Sequence, residues 1–187
     1  MASAFQLRLA RQVLLSGGII AYPTDTLYGL SCDPANRFAV ARLNQIKQRP
    51  IQQPCILLAS QADYFSGFIR ADIFQQPSLY TKLCPPPEPT SWIVPAHPDA
   101  PCWLTANDHS IAIRLSHDPL TTQLCALLQR PMVSTSANIH GQQPVHSLLA
   151  LRSKFGSQID LLLQSHHNRS DKASTIKQLN NNQAVRR

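Results

Sequence analysis

Gly18-Ile-Ile-Ala-Tyr-Pro-Thr-Asp-Thr-Leu-Tyr-Gly-Leu30 decides how the chain is read. Ile19 to Tyr22 form an apolar run of strand length, and Pro23, which has no N–H, stops its hydrogen-bonding ladder. Thr24, Asp25, Thr26 and Tyr28 then crowd polar side chains into five positions, and Gly29 lets the backbone turn. Polar groups just past the end of a buried strand are how an α/β sheet builds a ligand site. A plain surface turn would use the same Pro-Thr-Asp residues. The segment therefore gains weight only from others of the same design.

Outward from this stretch, helices alternate with short strands. Residues 4–16 place Leu7, Ala10, Val13 and Leu14 at helical spacing, with Ser3 as cap and Gly17-Gly18 as terminator. Leu30 to Cys32 can return as a strand, and Asp33-Pro34 and Asn36 open a second helix. Phe38, Ala41, Ile46 and their neighbours are expected to form its apolar face, with Pro50 halting it near Lys47. Cys55–Ala59 and Trp92–Val94 read as strands, and residues 61–83 as helix in pieces. Cys84-Pro-Pro-Pro-Glu-Pro-Thr90 is a stiff extended connection. Ser110 to Leu115 alternates, with Ile111, Ile113 and Leu115 on one side and Ser110, Ala112 and Arg114 on the other. Asp118 and Pro119 start a helix to Leu128, Met132–Thr135 is a strand, and Ser147 caps a helix to Phe155. Ile159–Leu163 is read as the last strand and 165–187 as a polar tail. This order predicts a single α/β domain over 1–187, with a twisted mixed sheet and helices packed around it.

At 187 residues, 43% of them hydrophobic, the chain can bury a core without staples. No run is long enough to span a bilayer, and the start lacks a secretory pattern, so no membrane is expected and the cytoplasm is. Five cysteines, never in Cys-x-x-Cys spacing, argue against a disulfide framework or zinc knuckle. His166-His167 reads as a solvated loop pair, and no metal site is assigned. A net charge of +7 suits an anionic partner such as a nucleotide or RNA, although the basic residues are dispersed apart from Arg186-Arg187.

Three further clusters carry chemistry. Lys47-Gln48-Arg49-Pro50 offers two cations that suit a polyphosphate if the chain leaves the helix there; as helix C-terminal residues they would simply favour the dipole. Arg114 sits inside a strand and should meet an anion, either a ligand carboxylate or a structural partner such as Asp118 or Asp108. Ser134-Thr-Ser-Ala-Asn138, followed by Gly141, puts hydroxyls, an amide and backbone N–H groups at a strand end, a turn able to bind an anion without lysine. The Gly-x4-Gly-Lys-Ser/Thr and Gly-x-Gly-x-x-Gly patterns are absent.

Pro23-Thr-Asp-Thr-Leu-Tyr-Gly29, Lys47-x-Arg49-Pro50, Ser110-x3-Arg114 and Ser134-Thr-Ser-Ala-Asn138 resemble, in order and spacing, the YrdC/TsaC family of threonylcarbamoyl-AMP synthases, over roughly residues 5–160. The resemblance implies a YrdC-like fold with a concave basic cavity. It also implies a nucleotidyltransferase that turns L-threonine, bicarbonate and ATP, with Mg2+ on the triphosphate, into threonylcarbamoyl-AMP and pyrophosphate for tRNA modification. By motif position Thr26, Ser134 and Arg114 would hold threonine. Lys47, Arg49, Gln53, Ser110, Ser136 and Asn138 would line the ATP site, with no side chain as covalent nucleophile. Possible tRNA contact and a downstream threonylcarbamoyl transferase complex follow from the same resemblance. Pro86-Pro-Glu-Pro-Thr-Ser91 stands where the family has Trp-Pro-Gly-Pro-x-Thr, and Gln53, Asp118-Pro119 and His140-Gly141 also depart from its pattern. The competing reading is a catalytically impaired RNA-binding or ribosome-assembly protein of the same fold.

Overall fold

Local chemistry starts most of the elements. In the computed structural model, which describes residues 2–50, 55–76, 81–83, 88–164 and 174–186, helix α1 (Ala4–Leu15) opens on a capping box. The Ser3 hydroxyl accepts from the Gln6 N–H at 3.2 Å while the Gln6 side chain accepts from the Ser3 N–H at 2.9 Å. Strand β1 (Ile20–Pro23) folds back on β2 (Tyr28–Cys32). The Asn36 side chain caps helix α2 (Arg37–Ile46). Strand β3 (Ile56–Ala59), a 3-10 turn at Ala62–Phe65 and a short helix α3 (Asp72–Gln75) follow. Then come β4 (Thr90–Pro95), β5 (Ser110–Leu115), α4 (Pro119–Leu128), β6 (Met132–Ser136) and α5 (Leu148–Phe155). The Asp118 carboxylate caps α4, accepting from the Thr121 N–H at 2.8 Å.

The strands form one mixed sheet in the order β7-β1-β2-β6-β3-β5-β4-β8-β9, where β7 is Leu161–Leu162, β8 Thr175–Gln178 and β9 Ala184–Arg186. Strand β6 returns antiparallel between β2 and β3, so the Ser134–Ser136 end lies beside Gly29 and Ser31 of the opening segment. Leu30, Val133, Leu57, Ile113 and Trp92 point from one face into the main core, against Ala39, Val40, Leu43 and Ile46 of α2. On the opposite face, Ile20, Tyr22 and Met132 pack with Leu7, Ala10 and Leu14 of α1 and Leu120, Leu124 and Leu128 of α4. That helical cover ends at the start of β6. Beyond it no helix among the described residues covers the same face.

Two sequence expectations are corrected. The apolar stripe of α2 runs through Ala39, Val40, Leu43 and Ile46 rather than Phe38 and Ala41; Ala41 is exposed and Phe38 is 70% exposed, with the Arg37 guanidinium over its ring. Ile159–Leu163 is not the last strand. Residues 174–186, read as part of a polar tail, add β8 parallel to β4 and β9 antiparallel to β8, and Leu179 is buried between them and the core. Gln53, Cys84–Pro87 and the His166-His167 pair lie outside the described residues.

Candidate functional site

The open half of the sheet face holds two adjoining hollows. A narrow well of about 50 Å3 lies against Thr24, Thr26, Arg114, Ser134 and Ser174, and a wider cleft of about 530 Å3 extends past Arg49, Ser110 and Gln178. Ile56 and Ser134 to Ser136 line both and form the wall between them.

The well is shaped by the opening loop. Thr24 ties it down: its N–H donates to the Leu27 carbonyl at 3.1 Å, as does its hydroxyl at 2.8 Å, and its Oγ1 lies 3.0 Å from Thr26 Oγ1. Gly29 lets the loop and β6 approach closely, because a Cβ there would stand 3.1 Å from Thr24 Cγ2, tight enough to press on that side chain. Arg114 reaches the well from β5, and one of its terminal nitrogens donates to both carboxylate oxygens of Asp25. Its partner is thus Asp25, 89 residues away, and neither Asp118 nor Asp108. Arg114 Nε is buried with no hydrogen-bond partner among the described residues, so the guanidinium keeps unused donor capacity.

The two cations of Lys47-Gln48-Arg49 part company. Helix α2 ends in a Schellman turn: the Gln48 N–H bonds the Gln45 carbonyl at 2.9 Å and the Arg49 N–H the Asn44 carbonyl at 3.0 Å. Gln48 takes the left-handed conformation, with φ 49°. Arg49 then faces the wide cleft, its Nη1 3.8 Å from Cys55 Sγ. Lys47, only 3% exposed, turns behind the Ser136–Asn138 loop. Its ammonium donates to the carbonyls of Ser136 and Asn138 and to Asn138 Oδ1, and its own carbonyl accepts from the His140 N–H at 2.8 Å. Asn138 is held within the same loop, donating to the carbonyls of Ile139 and Gln142 at 2.9 Å and accepting from Ser136 Oγ at 2.6 Å. Gly141, at φ +76°, closes this loop with a turn that an L side chain would strain.

Thr26, Ser134 and Arg114 therefore meet at the well, and Arg49, Ser110 and Ser136 at the cleft. Lys47 and Asn138 stand behind the strand-end loop that both hollows share. Several lining residues escaped the sequence reading. Asp25 was visible in the polar cluster but not as the partner of Arg114. Asp108, at the cleft, accepts from the Ser110 hydroxyl at 2.6 Å, and that hydrogen bond holds its carboxyl below the ordinary value. Ser174, Ile176, Gln178 and Val185 come from the supposed tail. Their only signal is the alternation within Ser174-Thr-Ile-Lys-Gln178.

Burial pushes the thiols of Cys32, Cys55 and Cys125 upward, Cys125 to about 12, so these stay protonated near neutral pH. Burial likewise raises the phenol of Tyr22, which lies in register with Gly29 and, through it, with Ser136. Among the described residues no group of three His, Cys, Asp or Glu side chains gathers to hold a metal, and no helix is long and apolar enough to cross a membrane. What the arrangement offers is hydroxyls and two guanidinium groups around adjoining spaces, one narrow and one wide enough for a nucleotide-sized ligand.

The Sua5/YciO/YrdC family model, described as Telomere recombination, matches residues 12–187. A threonylcarbamoyl-AMP synthase of Yersinia enterocolitica is 38% identical over 151 residues, covering 81% of this chain and 80% of its own length. Its counterpart in Xanthomonas euvesicatoria pv. vesicatoria is 38% identical over 160 residues, 86% of each chain. The crystal structure of P. abyssi Sua5 complexed with L-threonine matches 94% of this chain at 23% identity, with a TM-score of 0.83, and shares its fold. This chain spans about half of that one, 51%.

Proposed function

The chain belongs to the Sua5/YciO/YrdC family, and from that premise we propose that it is a threonylcarbamoyl-AMP synthase. The observation that carries this reading is the pair of adjoining hollows with a common wall at Ser134–Ser136. In this reading the well takes L-threonine, with Thr26 and Ser134 on its polar groups and the free side of Arg114 on its carboxylate. Asp25 holds that guanidinium in place. The cleft takes ATP, which arrives with its magnesium ion, and Arg49 and Ser136 face its phosphates.

The reaction is a nucleotidyl transfer. Threonine's amine and bicarbonate give a carbamate and water. A carbamate oxygen then bonds to the α-phosphorus of ATP as the bond from that phosphorus to the bridging oxygen breaks, and pyrophosphate leaves with the electron pair. Such a step needs alignment and neutralised charge rather than a covalent nucleophile. The common wall supplies alignment, because one set of strand-end groups borders both reactants. Lys47 acts from behind: three acceptors of the loop converge on its ammonium, fixing the loop and leaving a positive charge beneath a site where negative charge gathers. The product would pass in the cytoplasm to a transferase complex that modifies tRNA.

Mass spectrometry of the purified chain with ATP, L-threonine and bicarbonate tests the reading. Threonylcarbamoyl-AMP and pyrophosphate are expected only when all three are present. ATP turnover indifferent to threonine overturns it, and RNA binding without adenylate formation would put a binding module in its place.

A further inference from the structure

The wide cleft has a floor that runs straight across the sheet. Ser134 on β6 pairs with Ile56 on β3, Ile56 with Ala112 on β5, Ala112 with Ile93 on β4, and Ile93 with Gln178 on β8. Residues paired across strands share a face, so these five side chains form one row, and all five line the cleft. Four strand spacings separate its ends, roughly 19 Å, a span that suits an extended nucleoside triphosphate.

The row is polarised. At the Ser134 end stand the hydroxyls of Ser134 to Ser136 and Arg49, which suit phosphates. The middle, Ile56, Ala112 and Ile93, is apolar and offers nothing for charge. At the far end Ile176 and Val185 join Ile93 around Gln178. Val185 is 58% exposed, an apolar side chain left uncovered at the cleft. The backbone N–H of Gln178 donates to the Gln183 carbonyl at 2.9 Å, while its side-chain amide, half-buried in the cleft, has no partner among the described residues. Lys177, its neighbour, points to the other face, its ammonium 5.9 Å from the Trp92 ring centroid.

Resting on the reading of the cleft as the ATP site, we propose that Gln178 reads the base of the bound nucleotide and selects adenine. A primary amide carries an acceptor and a donor side by side. They match the N6–H2 donor and N7 acceptor of adenine, whereas guanine presents two acceptors, O6 and N7, on that edge. Ile93, Ile176 and Val185 supply the apolar surface against which the ring packs. The terminal strands are thus the nucleobase-recognising wall of the site, at the opposite end of the row from the reacting phosphorus.

Titration calorimetry of the full chain with ATP, GTP and 7-deaza-ATP tests this. Wild-type protein should prefer ATP to GTP by roughly five- to 150-fold, the scale of one bidentate pair, and should lose a comparable factor with 7-deaza-ATP. Gln178→Leu should bring the ATP-to-GTP ratio towards one and no longer distinguish ATP from 7-deaza-ATP. Gln178→Lys should shift preference towards GTP, since an ammonium suits O6 and N7. A wild type without base preference, or a Gln178→Leu protein that keeps the wild-type ratio, overturns the assignment. Pyrophosphate release measured on the same samples separates the two claims. A wild type that binds ATP selectively through Gln178, yet releases no pyrophosphate with threonine and bicarbonate, supports base reading and overturns the synthase reading alone.

Discussion

Strands β3, β5 and β6 show two opposite surfaces. From one, Leu57, Ile113 and Val133 are closed off from water in the main core. From the other, one residue along each strand, Ile56, Arg114 and Ser134 look into the hollows. The difference comes from the two-residue period of a strand and from where α1 and α4 stop. A sheet face covered throughout would have no site, and one uncovered throughout would leave too much apolar area in water. The same strands can therefore carry stability on one face and chemistry on the other, and substitutions should separate the two.

Leu57→Ala on the closed face should cost about 2–5 kcal/mol, through lost burial and the cavity left behind, while the folded fraction keeps its KM for threonine. Chemical denaturation beside steady-state kinetics reads both, and a KM that moves with Leu57 would mean that the faces are not independent. Arg114→Ala on the open face should do the reverse. Loss of a charged hydrogen bond to substrate predicts a roughly 10- to 100-fold fall in kcat/KM for threonine. Its loss of stability should be smaller than that of Leu57→Ala, because the abandoned Asp25 side chain is 32% exposed and can rehydrate.

Lys47→Met sharpens the comparison, since Lys47 belongs to the scaffold by burial and to the site by what it holds. Leaving its three loop acceptors unmet should cost about 1–3 kcal/mol and raise KM for ATP more than KM for threonine. An unchanged KM for ATP would make it a brace and nothing more. The smallest effect is expected far from both faces, where the Arg42 guanidinium and the Ile19 N–H hold the Asp160 carboxyl below its ordinary value. A lowered folded-state value stabilises above the unfolded one and loses that contribution as pH falls through the folded one. Asp160→Asn should therefore cost about 0.5–1 kcal/mol at neutral pH, discounted because the side chains of Arg42 and Asp160 are 41% and 37% exposed. The gap should begin to narrow near pH 4 and close only as pH falls past the lowered folded-state value, and melting curves of both proteins across that range check it.

What the sequence disclosed was local. Ser3 with Gln6, Asp118 with Pro119, and the alternation of Ser110 to Leu115 each announce an element within a few residues, and each element formed. The strand-end clusters at Thr24–Tyr28 and Ser134–Asn138 were legible for the same reason. The α2 stripe was misread because the sequence allows more than one apolar face, and only the sheet decides between 38/41 and 39/40/43. The Arg114–Asp25 pair joins strands that meet only when the sheet closes, so nearer carboxylates looked equally good. Residues 174–186 carry a single buried apolar side chain, Leu179. Their strand pairing is imposed by the edge of β4, and the five-residue alternation of Ser174 to Gln178 is too short to announce it by itself. Lys47 and Arg49 read as one unit until the left-handed Gln48 sent them to different places.

The floor from Ser134 to Gln178 draws one residue from each of five strands, of which only β4 and β5 are neighbours both in the row and along the chain. A slip of one position in any of them would turn its contribution to the far side of the sheet. The binding surface is consequently a late product of folding, complete only when every long-range alignment is made. Occupancy and correct assembly are thereby linked: nucleotide at a hundred times its dissociation constant would deepen the native basin by about 2.7 kcal/mol, provided the unfolded chain does not bind it.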